Sequence, residues 1–217
     1  LNDAGLGKDD AGISGLAYLD QFGVAGATIG HQSARIGDGA DMMARGVIRN
    51  LNDTARASGC AVGQSCADCA AAMLNAPGAT STPPTMTESR FMLEPGDPEV
   101  WGLDSASLIL SEDEVRILIC GSHGQALAGS PENALKRNVL GAVFHDAGIG
   151  LDDAGVSRLP ILDKRGIPTA TVAAESARIG DARSIYEDGI LSKVNLTAAN
   201  MGAEVGFSTK GFVSAIK

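Results

Sequence analysis

The chain carries one stretch of sequence twice. Residues 1–74 align with residues 144–217 at a constant offset, without a gap, and 30 of the 74 aligned positions are identical. The first copy opens LNDAGLGKDDAG and the second FHDAGIGLDDAG, and both carry SARIGD intact. An ungapped match of this length predicts two like structural units, packed about a pseudo-twofold axis. It also supplies an internal comparison, in which shared positions mark what a unit needs and differing positions mark where one copy has specialised.

The second copy and the residues before it read as an α/β unit. VRILICG (115–121), VLGAVFH (139–145) and IPTATVAA (167–174) are apolar, β-rich runs that predict strands. A helix is expected over 131–138, with Ser130 as N-cap, Pro131 in its first turn and Glu132 favoured by the dipole. A second is expected over 154–164, capped by Asp152 or Asp153 and closed by Gly166, and a third from the Asp181 cap to about 201, closed by Gly202. Strands alternating with helices predict a parallel sheet built from two duplicated βαβ-type units.

The first unit is incomplete at its N-terminus. Leu1 aligns with Phe144, at the end of the second predicted strand, so the strand carrying GSHG has no counterpart. A longer parent chain, or a separate chain supplying those strands, is the expectation. The organisation expected is therefore a first unit over 1–74, a Pro-, Gly-, Ser- and Thr-rich connector over 75–105, and a more complete second unit over 106–217. Met86, Phe91, Met92 and Trp101 predict that part of the connector packs, and SASLILSEDEVRILIC reads as a hairpin into the second unit.

Charge and composition narrow the partners. A net charge of −9, with no basic run, excludes nucleic acid, whose phosphates call for clustered Lys and Arg. No apolar run approaches the roughly 20 residues of a membrane span. With no secretory signal and no disulfide framework, a cytoplasmic protein is expected. The four cysteines do not form two close pairs, and Cys69 aligns with Phe212, which reads as a core position.

In a parallel α/β sheet, ligands bind beyond the carboxyl ends of the strands. GSHG, HDAGIGLDDAG and ESARIGD all fall there, as do the first copy's NDAGLGKDDAG and HQSARIGD. All three histidines, His31, His123 and His145, lie at such ends, and imidazole is the natural proton shuttle near neutral pH. Ser33, Arg35, Ser176 and Arg178 precede helix starts and are candidates for holding an anion, with Ser122, Asp3 and Asp146 beside them. The bland alternative is that each arginine pairs with an aspartate across the duplication. Asp38 and Asp181 read as helix caps.

The differing positions point to catalysis. Asn2 aligns with His145, Lys8 with Leu151, His31 with Ala174, Gln32 with Glu175 and Gly15 with Arg158. If the units face each other, Lys8 and His31 meet His145 and Glu175 in one asymmetric site. The carboxylates of DAGxGxDDAG are of a type that holds a hard divalent cation, yet their spacing matches no metal signature, and no cofactor is expected. The function expected is an enzyme acting on a small anionic metabolite by hydrolysis of an amide or cyclic amide C–N bond. His145, His123, His31, Glu175 and Lys8 would be catalytic, and isomerisation or elimination comes next. The alternative is a non-catalytic small-anion-binding or regulatory module. Partial units also predict a homo-oligomer.

Overall fold

The computed structural model describes residues 1–82, 84–126 and 134–217. Its centre is a six-stranded sheet in the order β3(Arg90–Glu94), β4(Val100–Leu103), β5(Ile117–His123), β6(Gly141–His145), β7(Thr169–Val172) and β8(Leu191–Val194). The strands β4 to β7 run parallel, and β3 and β8 are antiparallel edges. A separate two-stranded antiparallel sheet pairs β1(Ala27–Ile29) with β2(Ile48–Leu51), and Asn2 adds a parallel bridge to Ile29. The architecture is thus mixed α/β, with a mostly parallel main sheet.

Alternation along the strands divides the core into two layers. Ile117, Ile119 and Val143 point to the face covered by α6(Ala182–Asp188), α7(Leu196–Asn200) and α8(Thr209–Ile216), where Ile185, Phe212 and Ile216 fill the layer. Leu118, Cys120 and Phe144 point to the other face, against Leu162 of α5(Arg158–Asp163), Leu135 and Ile109. Residues 1–74, the first segment (144–217 being the second), have a smaller core of Ile29, Ala34, Ile48, Ala55, Cys60 and Cys69. It is built with α1(Ser14–Asp20), α2(Gly39–Arg45), α3(Asp53–Ala57) and α4(Cys66–Met73). No helix among the described residues is long and apolar enough to cross a membrane.

Several sequence expectations are corrected. The long helix expected from 182 to 201 ends at Gly189, whose backbone is extended, and β8 intervenes before α7. A Cβ at Gly189 would lie 2.3 Å from the Ile185 carbonyl, so the helix ends where the chain must turn tightly. The hairpin expected over 105–120 is instead two 3-10 turns, Ala106–Leu108 and Ser111–Val115, leading into β5. The hairpin lies earlier, where β3 and β4 extend the sheet from within 75–105. Asp152 and Asp153 do not cap a helix. They sit in a 3-10 segment, Leu151–Val156, with φ of 57° and 54°, and α5 follows it. The start of the helix expected over 131–138 lies outside the described residues, and 135–138 is not helical.

The two segments use the same side-chain anchors. Asp38 and Asp181 cap α2 and α6 by accepting from Asp41 and Ser184 N–H. Asn52 and Asn195 cap α3 and α7 while their amides donate to Val24 and Ile167 carbonyls. Asp20 accepts from the Thr54 backbone and hydroxyl, and Asp163 does so from Thr197. A cap of this kind contributes about 1 kcal/mol.

The segments meet backbone to backbone. Lys8 N–H donates to the Ala174 carbonyl and Leu151 N–H to the His31 carbonyl, both at 2.9 Å. At the crossing point a Cβ on Gly5 would lie 2.8 Å from Gly148 Cα, and one on Gly148 would lie 2.9 Å from Gly5 Cα. Only glycine permits this approach, and both residues hold positive φ.

Candidate functional site

Beyond the carboxyl ends of β4 and β5 lies a cleft of about 420 Å³. Ser105, Ser107, Ser122, His123, Lys136 and Arg158 supply its polar lining, and no carboxylate contributes to that lining among the described residues. Ser122 and His123 reach it because β5 ends in GSH. Ser122 Oγ accepts from Ala106 N–H at 2.9 Å, which fixes the turn after β4 against β5. His123 Nδ1 accepts from Gln125 N–H at 3.2 Å, so in this tautomer Nε2 carries the proton. Burial, reinforced by Arg158 and His145, pulls the His123 pKa down to about 4 and keeps the ring neutral at pH 7.

Arg158 is almost wholly buried. Its Nε and Nη1 donate to the Gln125 and Ala134 carbonyls at 2.8 and 2.7 Å, and its guanidinium stacks over Phe144 at 4.7 Å. Burial lowers its pKa. A buried guanidinium held by carbonyls keeps a positive field in the cleft wall, and the exposed Lys136 adds a mobile charge. Together with three hydroxyls, these groups suit a small anion.

The other residues singled out from the sequence take different partners. His145 is fully buried. Its Nδ1 accepts from Ala147 N–H and its Nε2 donates to the Ala177 carbonyl, both at 3.0 Å. Asn2 repeats this pattern, accepting from Ala4 N–H at 2.9 Å and donating to the Ala34 carbonyl at 3.1 Å. The neutral imidazole and the amide thus present the same acceptor and donor to the same backbone. Burial pulls the His145 pKa down, against the Ala177 carbonyl, which favours the charged ring.

Lys8 pairs with Asp188 at 2.8 Å, His31 bonds to Asp3, and Glu175 is exposed. Lys8 is thus engaged with Asp188, His31 with Asp3 and His145 with backbone, and no hydrogen bond or ion pair among the described residues joins Lys8 or His31 to His145 or Glu175. Arg35 lies 2.8 Å from Asp152, which Arg45 also holds, and Arg178 lies 2.6 Å from Asp9. Both arginines bridge the segments, as the bland alternative has it. Ser33 and Ser176 donate to the Gly30 and Ala173 carbonyls at 2.7 Å and accept from Val47 and Ile190 N–H. Asp146 accepts from Gly148 N–H at 2.8 Å.

Three contributors carry no signal in the sequence, and a fourth carries a weak one. Lys136, Ser105 and Ser107 carry no periodic or duplicated signal, and Arg158 stood out only by its alignment with Gly15. Among the described residues no three His, Cys, Asp or Glu side chains converge as metal ligands. No family model, no curated protein and no solved structure matches the chain.

Proposed function

We propose that the protein is an enzyme acting on a small anionic metabolite in the cleft beyond β4 and β5, by hydrolysis of an amide or cyclic amide C–N bond. The observation that carries this reading is the cleft's polar lining of hydroxyls, a neutral histidine and two cations. Arg158 and Lys136 would hold the anionic group. As a water adds to the carbonyl carbon, His123 Nε2–H, uncharged, would donate a hydrogen bond to the oxygen that becomes an oxyanion, with Ser122 beside it; the C–N bond then breaks and the proton lost by the water passes to the departing nitrogen. A neutral imidazole that donates in this way polarises a carbonyl without carrying a charge of its own.

The frame around the cleft fits the duplication. In our reading, 1–74 and 144–217 are βαβ-type units about a pseudo-twofold axis. The reciprocal Lys8–Ala174 and Leu151–His31 hydrogen bonds support it, as do the crossed Arg35–Asp152 and Arg178–Asp9 pairs. Because those arginines are engaged, the anion site falls to the cleft.

Titration calorimetry with malonate, phosphate and 5-oxoproline, followed by a hydrolysis assay on 5-oxoproline and on other amides that carry whichever anionic group binds, tests the proposal. Binding is expected in the wild type and weakened roughly tenfold in Lys136→Ala. Turnover is expected to fall about a hundredfold in His123→Asn. Binding without turnover of any amide would favour the non-catalytic module, and no binding at millimolar anion would overturn both.

A further inference from the structure

A second constellation lies outside the cleft, at the meeting of the two segments. Asp3 is fully buried. Its Oδ1 accepts from Gly5 N–H at 3.1 Å, from His31 N–H at 2.9 Å and from the His31 ring Nδ1 at 2.9 Å. Its Oδ2 is buried without a hydrogen-bond partner, and the Arg49 guanidinium stands 3.5 Å away. With Nδ1 donating to the carboxylate, the lone pair of His31 lies on Nε2. The ring keeps 16% of its side chain exposed, and Arg49 keeps 50%.

The second segment shows what the fold itself requires here. Asp146 aligns with Asp3, is nearly as buried, and makes the same bond to the N–H two residues on. Where His31 stands, it has Ala174, and where Arg49 stands, it has Ser192. Two of the differing positions therefore converge on one carboxylate, and both add a basic group to it. The same carboxylate is kept in the second segment with neither group, so their presence at Asp3 answers a need other than packing.

We propose that Asp3, His31 and Arg49 form a second site, in which His31 is a general base for a substrate anchored by a carboxylate or phosphate on Arg49. His31 Nε2 accepts the proton from the substrate's acidic C–H or from a bound water, and returns it when the reacting group collapses. Asp3 is a positioning residue, fixing the tautomer and balancing the imidazolium while it lasts. This triad is independent of the cleft: it shares no residue with it and lies on the first segment's elements.

Reaction with diethyl pyrocarbonate, followed residue by residue with peptide mass mapping, reads the Nε2 lone pair directly. His31 is expected to react roughly tenfold faster than in Asp3→Asn. Malonate is expected to protect His31 in the wild type and not in Arg49→Met. If Asp3→Asn does not fold, the double variant Ala174→His with Ser192→Arg rebuilds the same trio around Asp146. A malonate-protected, reactive histidine at 174 is then the expected result. A His31 no more reactive than His123, or one that malonate protects equally in Arg49→Met, overturns the proposal. Loss of anion binding in Lys136→Ala with His31 unaltered leaves this site standing and concerns only the cleft.

Discussion

Asp3 and Asp146 sit at equivalent places in two segments that share their caps, their buried asparagines and their turn geometry, yet their surroundings differ. The second segment supplies β7 and β8 to the six-stranded sheet, and its core is filled by large side chains such as Phe212 and Ile216. The first has two short strands and fills the matching place with Cys69. Around the carboxylates the order reverses, since the first segment has gathered the imidazole and the guanidinium. Asp146 is left among backbone donors, whereas Asp3 is flanked by two basic side chains. The charges at their meeting differ too. Arg45 of the first segment aligns with Asp188 of the second, so Arg45 holds Asp152 on one side while Lys8 holds Asp188 on the other.

The largest test of this contrast is in the cores. Phe212→Ala is expected to cost about 4 kcal/mol and Cys69→Ala about 1, read from urea unfolding midpoints. Equal losses would mean that the two cores share the work evenly. Hydrogen exchange on the wild type is expected to rank the β5–β6–β7 amides as more protected than those of β1 and β2.

The meeting of the segments is next. Gly148→Ala puts a methyl 2.9 Å from Gly5 Cα at a residue with φ of 71°, and about 3 kcal/mol of destabilisation is expected in thermal or urea unfolding. A neutral result would mean that the two backbones can separate without consequence.

Acid sharpens the comparison between histidines. The folded His123 pKa of about 4 lies below the ordinary 6.5, so the unfolded chain takes up this proton first as pH falls. The stability it represents is complete above pH 6.5 and is lost progressively toward pH 4. For this partly exposed ring it amounts to about 2 kcal/mol. The difference between wild type and His123→Asn across that window isolates it from the carboxylates, several of which lose their partners in acid as well. A flat difference would mean the ring takes up its proton in the fold as readily as out of it.

The smallest effect belongs to the exposed ion pairs. A double-mutant cycle on Arg178 and Asp9 is expected to give about 0.5 kcal/mol, and less in high salt. A coupling several times larger would make these pairs a main source of cohesion between the segments.

Local physics made much of this legible. The ungapped alignment pairs Asp38 with Asp181 and Asn52 with Asn195, and in the structure each pair plays the same capping role. The caps Asp38 and Asp181 follow from side-chain oxygens that reach N–H groups two or three residues on, and that reach is written in spacing. The strands β5, β6 and β7 follow from continuous apolar runs, because a parallel sheet covered on both faces gives them no polar side to show. The break at Gly189 was not legible from 182–201, since helix and strand compete closely there and packing against β7 decides between them.

The candidate sites divide along the same line. Placing the three histidines at strand ends needed only the order of elements. That His145 is spent on backbone, that Arg35 and Arg178 reach aspartates of the opposite segment, and that Arg49 approaches Asp3 are contacts between residues far apart in sequence. Spacing along a chain fixes only what a few bonds can reach. Which charges meet, which nitrogen keeps a lone pair and where a cleft opens were decided by the tertiary fold, because desolvation and Coulomb attraction depend on neighbours that only packing supplies.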